Sequence, residues 1–305
     1  MAGQKNACPA WPLLNPTPYI HLILPMTFLF SFLLCATAAV PPDSIPYHLE
    51  QPAQIYLLND ERLRELSGIS MTKQEGVLAG IADERGEVYM IDLKQEGKIT
   101  EVITFKDKGD FEDVQMVGQC IYVIKSDGQV YEIGCWQGRK KPNTEVYKTG
   151  LGKASDVEGL CYDPLRRCLL LASKGDPKND SLRYVWAFDL HEKELLEEPV
   201  FSINPHEINR LVPYGEHEKK DFFSPSAIAV HPLTGDIYVI STALKRLAIL
   251  DGKTGKIKTA VALDKKHLPQ PEGIAFDAQG RLYISSEGKD AEGRILCFDP
   301  VKKGQ

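Results

Sequence analysis

Glu65-Leu66-Ser67-Gly68-Ile69, Phe111-Glu112-Asp113-Val114, Val157-Glu158-Gly159-Leu160, Pro225-Ser226-Ala227-Ile228 and Pro271-Glu272-Gly273-Ile274 are five versions of one phrase. Each places polar or acidic residues and a short side chain before an apolar, strand-like run. The short position falls at 68, 113, 159, 227 and 273, so the steps are 45, 46, 68 and 46 residues. A period in the mid-forties made of short alternating strands is that of a β-propeller blade. One blade cannot bury both of its faces, so the copies must pack on one another and close a ring.

Each copy continues into strand-length runs rich in Ile, Val, Leu and Tyr, at 66–70, 76–81, 87–93 and 99–105 in the first. Turn residues separate the runs, among them Asp127-Gly128, Asp163-Pro164, His231-Pro232, Thr234-Gly235 and Gln279-Gly280. The fifth copy has only three runs, 272–276, 281–286 and 294–298, before the chain ends. The orphan run 53–58 supplies the missing strand, which would close the ring and cover an exposed edge. The expectation is an all-β, five-bladed β-propeller closed by an N-terminal strand, occupying residues 53–305. A six-bladed ring is the alternative, and its extra blade would lie in 191–223. That stretch is polar, carries Pro205 and Pro213 and lacks the phrase, so it reads as the outer strand of blade three plus a long loop.

The first forty residues are different in kind. Lys5 is their only charged side chain, Ile20 to Ala39 is almost continuously apolar, and Ala36-Thr37-Ala38 offers a small-x-small cleavage pattern. Residues 1–38 read as an export signal and 39–52 as a linker, giving a periplasmic or cell-envelope location. Alternatives are an uncleaved anchor, which the length permits, and lipidation of Cys35. Membrane contact is expected only through this leader or a lipid. The net charge of −6 gives no footprint for nucleic acid. Five cysteines follow the leader with no C-x-x-C pair, which supports neither a zinc nor a redox motif. Cys161 and Cys168 flank a turn and read as buried small hydrophobes, with a disulfide as the alternative.

In a four-stranded blade the start of strand one and the turn after strand two share one end of the ring. That end collects Glu65, Asp83 and Glu84, then Asp110, Glu112 and Asp127, then Asp156, Glu158 and Lys174, then Ser224 and Ser226, then Glu272 and Glu287. Carboxylates so gathered must be protonated, paired or neutralised by a cation. Oxygen donors in a wide cluster suit Ca²⁺ better than Zn²⁺. Glu65, Glu112, Glu158, Glu272 and Glu287 are the candidate metal contacts. Asp83, Asp127, Lys174 and Ser226 are candidates for holding a ligand. The competing reading is that each Glu only caps a backbone N–H at its strand entrance. Lys125, Lys174, Lys245 and Arg246 lie near the same turns, where they either hold an anion or balance the acids. No nucleophile elbow or phosphate-cradling loop is present.

Taken together, the five phrases, with Pro225-Ser226-Ala227-Ile228-Ala229-Val230-His231-Pro232 and Ser285-Ser286-Glu287-Gly288, resemble the SdiA-regulated family, whose members include YjiK and CarP. The resemblance runs from about Tyr47 to Phe298. It implies an exported propeller, distantly like calcium-dependent phytases and linked to calcium homeostasis in some members. It also implies metal contacts at Glu112, Glu158 and Glu272. Two positions depart from the pattern: Asp113 stands where Gly is usual, and Ser226 replaces an acid. Three functions follow as expectations. One is a Ca²⁺-holding module that presents its mouth to a small anionic ligand or a protein. Another is a metal-dependent, phytase-like phosphoric ester hydrolase. The third is a scaffold whose channel acids serve folding alone.

Overall fold

The computed structural model describes residues 45–134, 136–138, 142–176, 178–216, 218–288 and 291–301. The expected leader, Cys35, the first linker residues and Cys135 lie outside the described residues. Among the described residues no helix is long and apolar enough to cross a membrane.

Five antiparallel sheets form five blades. Strand β1 (Gln54–Leu58) comes first but belongs to the last blade. Blade one is β2 (Leu66–Met71), β3 (Val77–Ala82), β4 (Arg85–Asp92) and β5 (Lys98–Lys108). Blade two is β6 (Phe111–Val117), β7 (Cys120–Lys125), β8 (Val130–Gly134) and β9 (Asn143–Tyr147). Blade three is β10 (Val157–Asp163), β11 (Cys168–Ser173) and β12 (Arg183–Asp189), with an outer strand in two pieces, β13 (Glu194–Leu195) and β14 (Phe201–Ile203). Blade four is β15 (Ala227–Val230), β16 (Ile237–Ser241), β17 (Arg246–Leu250) and β18 (Ile257–Ala262). Blade five is β19 (Pro271–Phe276), β20 (Leu282–Ser286) and β21 (Gly293–Phe298), completed by β1.

The phrase-bearing strands β2, β6, β10, β15 and β19 touch in ring order, and β19 returns to β2. They are the innermost strands, so the phrase lines the axis. Apolar side chains fill each gap between neighbouring blades. Ile81, Val88, Phe111 and Val123 join blades one and two, and Leu66, Tyr89, Tyr283 and Ile295 join blades five and one. Both faces of every blade are therefore covered, which explains near-continuous apolar strands such as Val77–Ala82.

Closure follows the expected route. β1 pairs antiparallel with β21 from Gln54 opposite Cys297 to Leu58 opposite Gly293, and Leu58 is buried. Upstream residues reinforce it. Tyr47 is buried, donates its hydroxyl hydrogen to the Gly280 carbonyl at 2.6 Å and lies 3.0 Å from His231 Nε2.

The 68-residue step holds no sixth blade. After β14 comes a short helix, α1 (Pro205–Leu211), within the stretch expected to be a long loop. Asn204 caps it by accepting the His206 N–H at 3.0 Å, and Pro205 opens it with a pre-set φ. Seven residues are too few to show a helical period. Cys161 and Cys168 are buried free thiols. The register sets Cys161 opposite Leu170 and Cys168 opposite Asp163, so the two do not face each other.

Candidate functional site

Four of the five inner strands begin with the same irregularity. In β2 the pairing jumps from Leu66 to Gly68, in β6 from Phe111 to Asp113, in β10 from Val157 to Gly159, and in β19 from Pro271 to Gly273. The skipped residues are Ser67, Glu112, Glu158 and Glu272. A β-bulge leaves its extra residue out of the ladder and re-aims its side chain. In β15 the equivalent residue is Ser226, which immediately precedes the pairing of Ala227 with Ile240. Five bulge-position residues, one per blade, thus ring the axis. The phrase is a bulge signature as much as a strand signature.

The following position explains why small residues recur. A Cβ on Gly68 would lie 2.5 Å from the Asp113 Cα, and one on Gly273 would lie 3.1 Å from the Ile69 nitrogen. Inner strands of adjacent blades run too close for a large side chain there, and Ala227 carries only a methyl group. Asp113 is the large residue among the five, and the structure accounts for it. Its carboxylate accepts the Val114 N–H and, across the blade boundary, the Leu160 N–H, both at 2.8 Å. Burial drives this carboxyl far above the usual range, while the two N–H groups pull it back. Gly68 leaves the room that this staple needs.

A second ring comes from the residues that follow each second strand. Asp83, Lys174 and Glu287 follow β3, β11 and β20, and Ser126 and Thr242 hold the matching places after β7 and β16. Their backbones stitch the rim: Phe111 N–H donates to the Asp83 carbonyl and Val157 N–H to the Ser126 carbonyl, each at 2.9 Å.

The two rings enclose a cavity of about 240 Å³ at one end of the channel. Its walls bring together Asp83, Glu112, Glu158, Lys174, Ser226, Glu272 and Glu287 from the expected set, and add Ser67. Glu65 and Asp127 are not in the lining. Glu65 is exposed at the rim. Asp127 is held in its own turn by Lys125, at 2.5 Å, and by Gln129. Aligning the repeat on Gly68 puts Ser67, not Glu65, in register with Glu112, and that register was the available signal for Ser67. Ser126 takes the place matching Lys174 because blade two's first hairpin is shorter, so Asp113 pairs with Ile124 and the second strand ends at Lys125, which the spacing of the phrases does not reveal. Arg246 is also elsewhere: it is buried beneath the inserted segment, bonded to Asn209 and Glu218.

One base faces several acids. Lys174 Nζ lies 2.5 Å from Glu158 Oε1. Burial pulls its ammonium down, but the Glu158 carboxylate outweighs that and leaves it above its ordinary value. Burial, then the charges of Glu158 and Asp110, push Glu112 up to about 9. Burial and the charges of Glu158 and Glu287 push Glu272 up to about 8, although the Thr242 hydroxyl at 2.9 Å works the other way. Glu158 is raised by burial to about 7, with Lys174 opposing. Glu287 is raised to about 7 by burial and by Asp83 and Glu65, and it accepts from Gln270. Burial and mutual repulsion thus raise the carboxyls around this cavity toward neutrality, with Lys174 as the base opposing them.

Solved structures share the architecture. One is the glutaminyl cyclase of Myxococcus xanthus, with 12% identity and a TM-score of 0.55, covering 83% of this chain and 97% of that one. Another is the PQQ-bound aldose sugar dehydrogenase of Streptomyces coelicolor, with 12% identity and a TM-score of 0.50, covering 82% and 97%. At such identity the likeness is one of fold alone. The family match rests on the sequence itself. The SdiA-regulated family model matches residues 59–289, and the chain belongs to that family.

Proposed function

We propose that this protein is an exported binding propeller that takes up a hard divalent cation, Ca²⁺, at its acidic mouth. The observation that carries the reading is the converging set of Glu112, Glu158, Glu272 and Glu287, all with raised pKa values, around one small cavity. The lining offers carboxylate and hydroxyl oxygens and no His or Cys, which is the donor chemistry calcium prefers. Glu112, Glu158 and Glu272 would hold the ion, with Glu287 and Asp83 at its outer side.

Among the described residues no three His, Cys, Asp or Glu side chains are gathered tightly enough, as they stand, to hold one metal ion. Glu158 is turned to Lys174 and Glu272 to Thr242. Uptake therefore requires these carboxylates to leave their present partners and Lys174 to swing outward, where its side chain already has some exposure. With a single base in the lining, the mouth favours cations over anions. An anionic ligand or a protein partner would reach it through the bound ion.

Calcium titration of the purified chain tests the reading. The melting temperature should rise with CaCl₂, and Glu158→Gln with Glu272→Gln should abolish the rise. An unchanged melting temperature and no heat of binding would remove the ion from the account. The hydrolase alternative has Lys174 beside the acids as its support, since a held cation can polarise a phosphoryl oxygen. It predicts calcium-dependent phosphate release from p-nitrophenyl phosphate that is lost in Glu158→Gln. Export is tested by the mass of the protein recovered from the cell envelope, which should correspond to a start near Val40.

A further inference from the structure

The 68-residue step carries a segment that ring closure does not need. α1 and the residues up to Phe223 lie on the face of the acidic mouth, because the chain leaves β14 there and enters β15 there. Lys178 pairs with Asp221 and His206 with Asp180, tying the segment to the loop that follows Lys174.

Two arginines, each 1% exposed, hold this segment down. Arg183 donates to the carbonyls of Phe223, Asp176, Asn179 and Ser181 at 2.8–2.9 Å. Arg246 donates to Asn209 Oδ1 at 2.8 Å and Glu218 Oε2 at 3.1 Å, and its guanidinium lies 5.2 Å from the centre of the Tyr214 ring. A guanidinium is costly to desolvate unless its donors are met. Here both find carbonyl, amide or carboxylate acceptors and so brace the insertion from beneath.

That surface is a cleft of about 590 Å³ lined by His206, Asn209, Arg210, Tyr214, Lys220 and Phe222. Three of the six are basic, two are aromatic and none is acidic, on a chain of net charge −6. Of the nearby acids Asp180 reaches the cleft wall, 3.1 Å from His206 Nε2, so Arg210 and Lys220 are the bases that face an incoming anion. Asp221 is held by Lys178, Glu218 by Arg246 and Lys265, and Glu207 lines a different groove. Asn209 Nδ2 donates to Tyr214 Oη at 2.7 Å, and His206 meets Phe222 edge-on at 5.2 Å, so the walls are braced.

We propose that this cleft is an anion site for a small planar ring bearing a phosphate group. Arg210 and Lys220, both exposed, supply charge-assisted hydrogen bonds to the phosphate. Tyr214 and Phe222 supply apolar faces for the ring. The site is separate from the acidic mouth and stands whether or not the mouth binds calcium.

Calorimetric titration of the full chain with phenyl phosphate at low ionic strength tests the proposal. Saturable binding is expected, tighter than that of inorganic phosphate. The double variant Arg210→Ala/Lys220→Ala should weaken it by about tenfold or more, about 1.4 kcal/mol, at an unchanged melting temperature. Phe222→Ala should remove the preference for the ring, and Glu158→Gln should leave binding intact. No saturable heat up to about 10 mM, a range that corresponds to only a few kcal/mol of affinity, would overturn the proposal. So would equal affinity in the double variant, or inorganic phosphate binding as tightly as phenyl phosphate.

Discussion

The two ends of the channel are built from the same five strands and have opposite chemistry. At the bulged end the lining is acidic and hydroxylic, around about 240 Å³. Four residues further along, the same strands present Met71, Tyr162, Val230 and Phe276 around about 270 Å³. At this second end Gln115 accepts the Tyr162 N–H at 3.2 Å and donates to Ser70 at 3.1 Å, bracing three blades. The apolar end can be explained by packing. The acidic end cannot, because burying like charges opposes folding unless something neutralises them. Recurrence alone is therefore not evidence of function. What marks the acidic end is recurrence that carries an energetic penalty.

The harshest way to break the comparison is to disturb the spacing that brings the bulges together. Gly68→Ala places a methyl against the Asp113 backbone and should cost about 3–5 kcal/mol, beyond ordinary overpacking, measured by chemical denaturation. Gly134→Ala, where nothing lies within 4 Å, is the matched control and should stay within about 0.5 kcal/mol. Asp113→Ala should follow at about 2–4 kcal/mol, because it leaves two amides without their acceptor.

A smaller effect separates the ends by pH. The mouth carboxylates have folded-state pKa values above those of the unfolded chain, so the folded protein holds more protons across that interval. Their stabilising contribution is complete below about pH 4, declines once pH passes the unfolded value of 4.5, and is exhausted as pH rises through the folded values of about 7 for Glu158, about 8 for Glu272 and about 9 for Glu112. Melting temperature should therefore fall from about pH 5 and level off near about pH 9, and Glu112→Gln with Glu272→Gln should flatten the slope. A slope unchanged in both variants would assign it to other groups. The least effect is expected at the apolar end, where Tyr162→Phe should leave calcium binding within about twofold of the parent, under 0.5 kcal/mol.

Much of this was legible beforehand because a repeat averages over local ambiguity. Five copies of one phrase fixed the blade count, and the shortfall of the last blade identified 53–58 as the closing strand, observed as Gln54–Leu58. What the repeat did not reveal was registration within the copies. The pairing partner of each small residue decides which side chain enters the channel, so Ser67 takes the place expected of Glu65 and Ser126 that expected of Asp127. Residues 204–223 were opaque for another reason. Their helix is a single short element, and their structure depends on Arg183 and Arg246 from distant strands.

The most direct test of the central claim is proton release on addition of CaCl₂ to weakly buffered protein at pH 7.5. Calcium that binds by displacing protons from carboxylates with raised pKa values should release a measurable fraction of a proton per site, and more at pH 7 than at pH 9. Glu112→Gln and Glu272→Gln should reduce that release. Binding without proton release, or release unaltered by those substitutions, would contradict the assignment of the acidic end as the cation site.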